Sequence, residues 1–261
     1  MGAEQFRFDD GAAYERHMGT WSRFAGEVFL DWLAPEPGLR WVDVGCGNGA
    51  FSELIVERCA PAEVQGIDPS EGQLAFARTR PAARLAKFQQ GNAMALPFPD
   101  AGFDVATMAL VIFFVPDPAK GLSEMARVLR PGGMMAAYAW DMFGGGYPLE
   151  PFQAELRAMG IAPLRAPSEE ASRMENLRTL WAGAGATEIE TRVIKVQRTF
   201  ASFDEFWSIA TASSIWSIIG KMAPADVETL KTRVRQRVKP DPAGRVTFGA
   251  HANAIKGRVA G

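Results

Sequence analysis

The chain alternates between short apolar runs and amphipathic stretches in which apolar residues recur every three or four positions. The apolar runs predict β-strands, and the stretches between them predict helices. Helices placed between successive strands are typical of a parallel sheet that is covered on both faces. The predicted strands of this part of the chain are residues 40–44, 63–67, 86–90, 103–110 and 134–140.

The predicted helices begin and end at residues with capping or breaking properties. Residues 14–33 form an amphipathic pattern that predicts an N-terminal helix. Ser70 is a candidate N-cap, Gln73 would complete a capping box, and Asp117 would cap the helix that starts after it. Further helices are predicted over residues 49–59, 149–159 and 170–184.

The pattern after residue 141 is less regular. Residues 187–200 and 245–256 alternate between apolar and polar positions and predict two strands. A mostly helical insertion, about residues 203–240, separates them. Two strands joined by such an insertion can pair as an antiparallel edge of the sheet.

The turn after the first strand carries the clearest chemical signal. Gly45, Gly47 and Gly49 lack a Cβ, so the backbone can adopt positive φ and approach a ligand closely. The following helix presents free N–H groups and the positive end of its dipole. Asp68 ends the second strand, about 20 residues after the turn, where a carboxylate can hold the two hydroxyls of a ribose. The pattern predicts an adenosine-containing cofactor.

Amino-acid composition, net charge and cysteine content exclude several classes of protein. Hydrophobic residues make up 48% and charged residues 22%, which is typical of a soluble globular protein. The formal net charge is −2, so we expect no nucleic-acid partner. Cys46 and Cys59 lack the spacing of a metal site or a disulfide framework, and we expect no bound metal and a reducing, cytoplasmic setting. The longest apolar run, residues 105–115, is too short to cross a bilayer, so no membrane association is expected.

Four sequence blocks stand out by their order and spacing: residues 42–49, 66–70, 91–98 and 103–133. Together they resemble class I S-adenosylmethionine-dependent methyltransferases. They are similar to the small-molecule branch that includes the ubiquinone/menaquinone biosynthesis C-methyltransferases. The resemblance implies an α/β fold, a Rossmann-like three-layer sandwich. Its sheet would have seven strands, mostly parallel, with an antiparallel last strand.

The resemblance also implies S-adenosylmethionine as the cofactor and assigns its contacts. The glycine-rich turn would lie against the methionine part, and Asp68 would accept hydrogen bonds from the ribose. Asn92 and Ala93 would address the adenine, and Ala109 and Leu110 would flank the amino-acid moiety. Many relatives carry an acid in place of Asn92, whose amide keeps an acceptor and adds a donor. The full set of expected cofactor residues is Asp43, Gly45, Cys46, Gly47, Gly49, Asp68, Pro69, Ser70, Gln73, Asn92, Ala93, Met94, Ala109 and Leu110.

The length of the chain and the order of its predicted elements lead us to expect one domain over residues 1–261. Its expected parts are N-terminal lid helices (1–39), a cofactor-binding core (40–140), and substrate-side helices, insertion and edge strands (141–261).

The expected reaction is methyl transfer to a small-molecule acceptor by in-line displacement from a sulfonium. The leaving group is already activated, so the protein mainly aligns the reacting groups and excludes water. The residues near the expected site suggest a hydrophobic or aromatic acceptor, although packing explains each of them as well. These candidates for acceptor binding are Tyr14, Met18, Trp21, Phe114 and Trp140.

No catalytic base is assigned by the sequence. His17 is a candidate because it lies in the expected lid helix, although a lone histidine on such a helix is more often a surface or packed residue. His251 is expected on an edge strand, far from the ligand end of the sheet. Asp141 either orients a substrate or caps a loop.

Two other classes of function stay open. A nicotinamide-dependent oxidoreductase shares the glycine-rich turn, but its third glycine falls where this chain has Ala50, and the chain has no Tyr-x-x-x-Lys pair. An adenosylmethionine-binding protein without activity is compatible with the missing base. The aromatic-rich insertion would either wall a substrate pocket or form the interface of a homodimer.

Overall fold

The computed structural model describes residues 15–163, 165–211 and 215–260, without the side chains of residues 16, 17, 82 and 216. Seven strands of these described residues form one sheet in the order β3-β2-β1-β4-β5-β7-β6. The strands are β1 (Arg40–Val44), β2 (Glu63–Asp68), β3 (Ala86–Gln90), β4 (Phe103–Ala109), β5 (Leu129–Trp140), β6 (Ala186–Phe200) and β7 (Val246–Val259).

The first five strands are parallel, and β7 runs antiparallel between β5 and β6. This topology confirms the predicted fold class and the antiparallel last strand. Because β7 pairs on both sides, it is an inner strand and β6 is the edge. The register pairs Phe200 with Val246, so the helical insertion leaves and rejoins the sheet at neighbouring positions.

A π-helical turn (Glu15–Gly19) leads into the first α-helix, and helices follow the strands as the apolar spacing predicts. Helices α1 and α2 pack on the face of the sheet that carries Tyr138, while α4 and α6 contact each other and cover strands of the sheet. The α-helices are α1 (Thr20–Leu33), α2 (Ala50–Cys59), α3 (Glu71–Ala77), α4 (Pro118–Val128), α5 (Glu150–Ala158), α6 (Met174–Gly183), α7 (Phe203–Thr211), α8 (Trp216–Ile219) and α9 (Pro224–Val238).

Two predicted elements differ from the structure. The fifth strand, predicted over residues 134–140, begins earlier, because Leu129 already pairs with Phe103 and the regular register resumes at Met134. The intervening residues form an irregular bulge, in which a proline has no N–H to donate. The helix expected over residues 170–184 is split into a 3-10 turn (Glu169–Ser172) and α6.

A contiguous hydrophobic cluster extends from α1 to β7. Helix α1 lies close to its neighbours at Gly26, where a Cβ would lie 2.8 Å from Leu54 Cδ1 and 3.3 Å from the Tyr138 hydroxyl. Glycine at this position therefore lets α1 lie directly against α2 and β5. Across the described ranges, no helix combines the length and the apolar character that a bilayer crossing requires.

Candidate functional site

A cavity of about 590 Å³ opens at the carboxyl ends of the parallel strands, between the glycine-rich turn, α1 and the segment after β4. This edge is where open parallel sheets bind ligands, and the volume suits a small molecule. The structure brings most of the expected cofactor residues together in the cavity wall. They are Asp43, Gly45, Cys46, Gly47, Asp68, Pro69, Ser70, Gln73, Asn92, Ala93, Ala109 and Leu110.

Two glycines shape the turn that forms the cavity floor. Gly45 has a φ of +77° and Gly47 a φ of +51°, in the region that glycine adopts most readily. A Cβ on Gly45 would lie 2.4 Å from Val111 Cγ1, so the turn directly contacts the segment after β4. Among the described atoms, a Cβ on Gly47 would approach only Gln73 Oε1, at 3.9 Å. This side of the turn is therefore open to a ligand.

Asp68 is held by backbone N–H groups on both sides. Its Oδ2 accepts a hydrogen bond from Gly47 N at 2.9 Å, and its Oδ1 accepts one from Ser70 N at 2.8 Å. Burial raises the pKa of this carboxyl, and the two backbone hydrogen bonds counteract that effect. A carboxylate oxygen accepts more than one hydrogen bond, so Asp68 keeps capacity for ligand hydroxyls at the cavity wall.

Two other polar side chains of the wall carry buried oxygen atoms with no hydrogen-bond partner in the described part of the chain. They are Asp43 Oδ1 and Gln73 Oε1. The other oxygen of Asp43 accepts a hydrogen bond from Ser52 Oγ at 2.6 Å, and burial raises the pKa of this carboxyl to about 7. Unpaired buried acceptors are rare in folded proteins. Their presence at the cavity fits a ligand that brings hydrogen-bond donors.

Two expected cofactor residues, Gly49 and Met94, lie outside the cavity wall. Gly49 has a φ of +79°, and a Cβ there would lie 2.9 Å from Ala77 Cβ, so this glycine allows α2 and α3 to pack closely. The backbone N–H of Met94 donates to Asn92 Oδ1 at 2.9 Å and closes a local turn.

The capping prediction for α3 is half right. Gln73 N donates to Ser70 Oγ at 3.3 Å, as an N-cap requires. Ser70 N, however, donates to Asp68, and Gln73 Oε1 has no partner among the described residues. The capping box is therefore incomplete, because the N–H of Ser70, which Gln73 would have bound, donates to the carboxylate of Asp68.

Among the candidates for acceptor binding, Phe114 lines the cavity. Trp21 is buried and packs against Phe200 and Phe248, with ring centroids 6.4 Å apart in each case. Met18 and Trp21 border a small enclosed void instead, and Trp140 lies in the core. Tyr14 and the side chain of His17 fall outside the described residues.

The expectation for His251 is wrong, because β7 is an inner strand whose start lies beside the end of β5. His251 Nε2 is 3.4 Å from Asp141 Oδ2, and Asp141 N donates to the His251 carbonyl at 3.1 Å. Asp141 Oδ1 also accepts hydrogen bonds from Phe143 N and Gly144 N, at 3.2 and 2.7 Å. Asp141 thus caps a loop and also pairs with His251, at the ligand end of the sheet.

Sequence reasoning missed several residues of the cavity wall. Those from α1 and α2 lie on amphipathic helices, and their spacing gives no sign that part of the apolar face borders a ligand. Tyr138 lies inside a strand that reads as ordinary core. The missed residues are Ser22, Arg23, Asn48, Ala50, Phe51, Leu54, Ile67, Gly91, Val111, Val115, Pro116 and Tyr138.

Known proteins resemble this chain over the same region. Residues 42–137 match the family described as a methyltransferase domain. A demethylmenaquinone methyltransferase from Symbiobacterium thermophilum is 42% identical over 120 residues, which cover 44% of this chain and 47% of that protein. One from Desulfitobacterium hafniense is 32% identical over 171 residues, or 59% of this chain and 68% of that protein. A malonyl-[acyl-carrier protein] O-methyltransferase from Methylococcus capsulatus is 33% identical, with 63% of this chain and 65% of that protein covered.

The match to the first of these relatives thus spans about half of its length. Among solved structures, the YcgJ protein of Bacillus subtilis has a TM-score of 0.59 at 18% identity, covering 91% of this chain and 98% of that one. The [4+2]-cyclase SpnF has a TM-score of 0.56 at 22% identity, covering 100% of this chain and 87% of that one. At such identities the structural likeness shows the shared fold. By its matched domain, and by a relative aligned over two thirds of its length, the chain belongs to the class I S-adenosylmethionine-dependent methyltransferases.

Proposed function

We propose that this protein transfers the methyl group of S-adenosylmethionine to a small-molecule acceptor. The observation that carries the proposal is the position of Asp68, at the end of β2 and bonded to the glycine-rich turn, in the wall of an open cavity. When bound, the cofactor supplies a methyl group that its sulfonium has already activated.

The side chains of the wall offer what such a cofactor needs. Asp68 would accept hydrogen bonds from the two ribose hydroxyls, and Asn92 would address the adenine. Asp43 Oδ1 and Gln73 Oε1 would accept hydrogen bonds from N–H groups of the ligand, which removes the penalty of leaving them unpaired. Aligning the reacting groups and excluding water are then the main catalytic tasks of the protein.

The apolar part of the wall supports a hydrophobic or aromatic acceptor. Phe51, Leu54, Val111 and Phe114 contribute to it beside the glycine-rich turn. The relatives named above act, by their names, on a demethylmenaquinone and on a malonyl-[acyl-carrier protein], so their acceptors differ among themselves. The Asp141–His251 pair, at the same edge of the sheet, is the polar group we propose for orienting the acceptor.

Ligand-induced stabilisation tests the cofactor. S-adenosylhomocysteine at about 100 times its Kd adds about 2.7 kcal/mol to the free energy of unfolding, which raises Tm by about 5–10 °C in a chain of this size. NAD and NADP should leave Tm unchanged. If they raise Tm and S-adenosylhomocysteine does not, the protein is an oxidoreductase and the proposal is wrong.

A single substitution tests the residue that carries the proposal. Asp68→Asn removes the negative charge that strengthens the hydrogen bonds from the ribose hydroxyls. We expect it to weaken S-adenosylhomocysteine binding at least tenfold, as measured by calorimetry. The matched control is Asp117→Asn, which alters a carboxylate that caps α4 outside the cavity. Equal affinities in the two variants would show that Asp68 does not contribute to cofactor binding.

Turnover separates an enzyme from an inactive binding protein. Small-molecule extracts are incubated with the protein and S-adenosylmethionine carrying an isotopically labelled methyl group, and products are followed by mass spectrometry. A labelled product supports methyl transfer. Cofactor binding with no labelled product from any extract supports the inactive alternative.

A further inference from the structure

A largely buried arginine that does not line the cavity forms hydrogen bonds that hold the glycine-rich turn in place. Arg80 follows α3, and 10% of its side chain is exposed. Its Nε donates to the carbonyl oxygen of Asn48 at 2.6 Å, and its Nη1 donates to Glu53 Oε2 at 2.7 Å. The guanidinium also lies 5.3 Å from the centre of the Phe76 ring. One side chain thus joins the turn, the first part of α2 and the end of α3.

A third hydrogen bond joins Arg80 to the π-helical turn before α1. Arg80 Nη2 donates to Glu15 Oε2, and the same oxygen accepts a hydrogen bond from Asn48 Nδ2 at 2.8 Å. A Cβ on Gly19 would lie 2.9 Å from Glu15 Cδ, so the glycine makes room for the carboxylate. Asn48 lies between Gly47 and Gly49 and lines the cavity. The π-helical turn before α1 is therefore hydrogen-bonded directly to the glycine-rich turn.

The arrangement suits arginine and no other side chain. A guanidinium presents its N–H groups in a planar fork, and here the fork meets a backbone carbonyl and two carboxylates at once. Hydrogen bonds to charged groups are shorter and stronger than neutral ones, and the low exposure of Arg80 limits screening by salt. A lysine would keep the positive charge but would not present the planar set of N–H donors.

We propose that Arg80 and Glu15 are positioning residues for the cofactor. Arg80 keeps the Asn48 peptide in the conformation in which the turn binds its ligand. Glu15 binds both Arg80 and the side chain of Asn48, so it restrains the same turn from a second side and slows dissociation of the ligand. The ligand named here rests on the proposed function.

Binding of S-adenosylhomocysteine to the full chain tests the role of Arg80. We expect Arg80→Met to raise the Kd at least tenfold and Arg80→Lys to raise it by an intermediate factor. The matched control is Arg78→Met, two residues earlier, where the arginine is 43% exposed and bonds to Glu71 and the Phe88 carbonyl. The control should change the Kd less than twofold. Equal Kd values for Arg80→Met and Arg78→Met would overturn the proposal.

The dissociation rate of S-adenosylhomocysteine tests Glu15. Glu15→Gln should speed dissociation about fivefold, because the charge-assisted contact to Arg80 is lost. The control is Asp31→Asn, which breaks a different ion pair, the one between Asp31 of α1 and Arg58 of α2 at 2.6 Å. That control should leave the rate unchanged, since it only loosens the same helix elsewhere. Equal rates in the two variants would contradict the role of Glu15.

The two effects should also be coupled. Residues that share a contact give non-additive effects, so Glu15→Gln should speed dissociation less in the Arg80→Lys background than in wild type. Additive effects would show that the two residues act separately and overturn the proposed link. If wild type fails to bind S-adenosylhomocysteine, the proposed function is wrong. If it binds normally and these variants match it, only the present inference is wrong.

Discussion

At the residue scale, the buried carboxyl of Asp43 makes stability depend on pH. Burial raises its pKa from 3.8 to about 7, against the lowering effect of the Ser52 hydrogen bond. Between these values the folded protein holds a proton that the unfolded chain has lost. The free energy of unfolding therefore falls as pH rises from about 4 to about 7, by at most about 4 kcal/mol.

Thermal unfolding of the unliganded protein between pH 5 and pH 8 measures this effect. We expect Tm to fall across the range, and we expect Asp43→Asn to remove most of the fall because the amide does not titrate. Ser52→Ala is a useful second variant, since it leaves the carboxyl in place and removes its hydrogen bond. Identical pH profiles for wild type and Asp43→Asn would contradict the assignment.

At the element scale, α4 is joined to the loop before β4 by a charged pair. Glu124 Oε2 accepts a hydrogen bond from Leu96 N at 2.9 Å, and Arg127 donates to the carbonyls of Leu96 and Phe98 at 3.0 and 2.8 Å. The hydrogen bond from Arg127 lowers the pKa of Glu124 to about 2, against the opposing effect of burial. This contribution to stability is present above about pH 4.5 and is lost as pH falls towards 2.

Replacing Glu124 by Gln should therefore destabilise the protein by about 1.5–3 kcal/mol at pH 7. The difference from wild type should shrink as pH is lowered from 7 to 3. Urea unfolding at several pH values measures both. Glu228→Gln, on the exposed side of α9, is the control and should change little at any pH. A destabilisation that does not vary with pH would mean that Glu124 contributes through its shape and not through its charge.

At the scale of the whole molecule, aromatic rings join the helical insertion to the rest of the chain. Phe206 is 2% exposed, and its ring centroid lies 5.5 Å from that of Phe152, 5.1 Å from Phe200 and 6.4 Å from Phe248. These partners belong to α5, β6 and β7. We therefore propose that the insertion unfolds together with the core as part of one domain.

Truncation of this ring tests that proposal. Phe206→Ala should lower the free energy of unfolding by about 3–5 kcal/mol, because it leaves a cavity in packed surroundings. Unfolding should stay a single transition, and S-adenosylhomocysteine affinity well below Tm should stay within twofold. The exposed Ser208→Ala is the control on the same helix. A second, separate transition would show that the insertion is an independent unit.

Local patterns in the sequence predicted much of the fold and the place of Asp68 in the candidate site. The strands at residues 40–44 and 86–90 have the bounds predicted from the sequence. Asp68 lies in the cavity wall, where its spacing from the glycine-rich turn predicts it. Gly49 matched the same motif, yet it serves helix packing, because a motif does not reveal which side of a turn faces the ligand.

The sequence by itself determined the alternation of strands and helices, the glycine-rich turn and the carboxylate that follows it, because each depends on residues close together along the chain. Only the tertiary structure decided which distant residues meet. The insertion of β7 between β5 and β6 brings His251 to Asp141, and the packing of the π-helical turn before α1 brings Glu15 to Arg80 and Asn48. Such pairs depend on strand order and on the docking of helices, which no local spacing encodes.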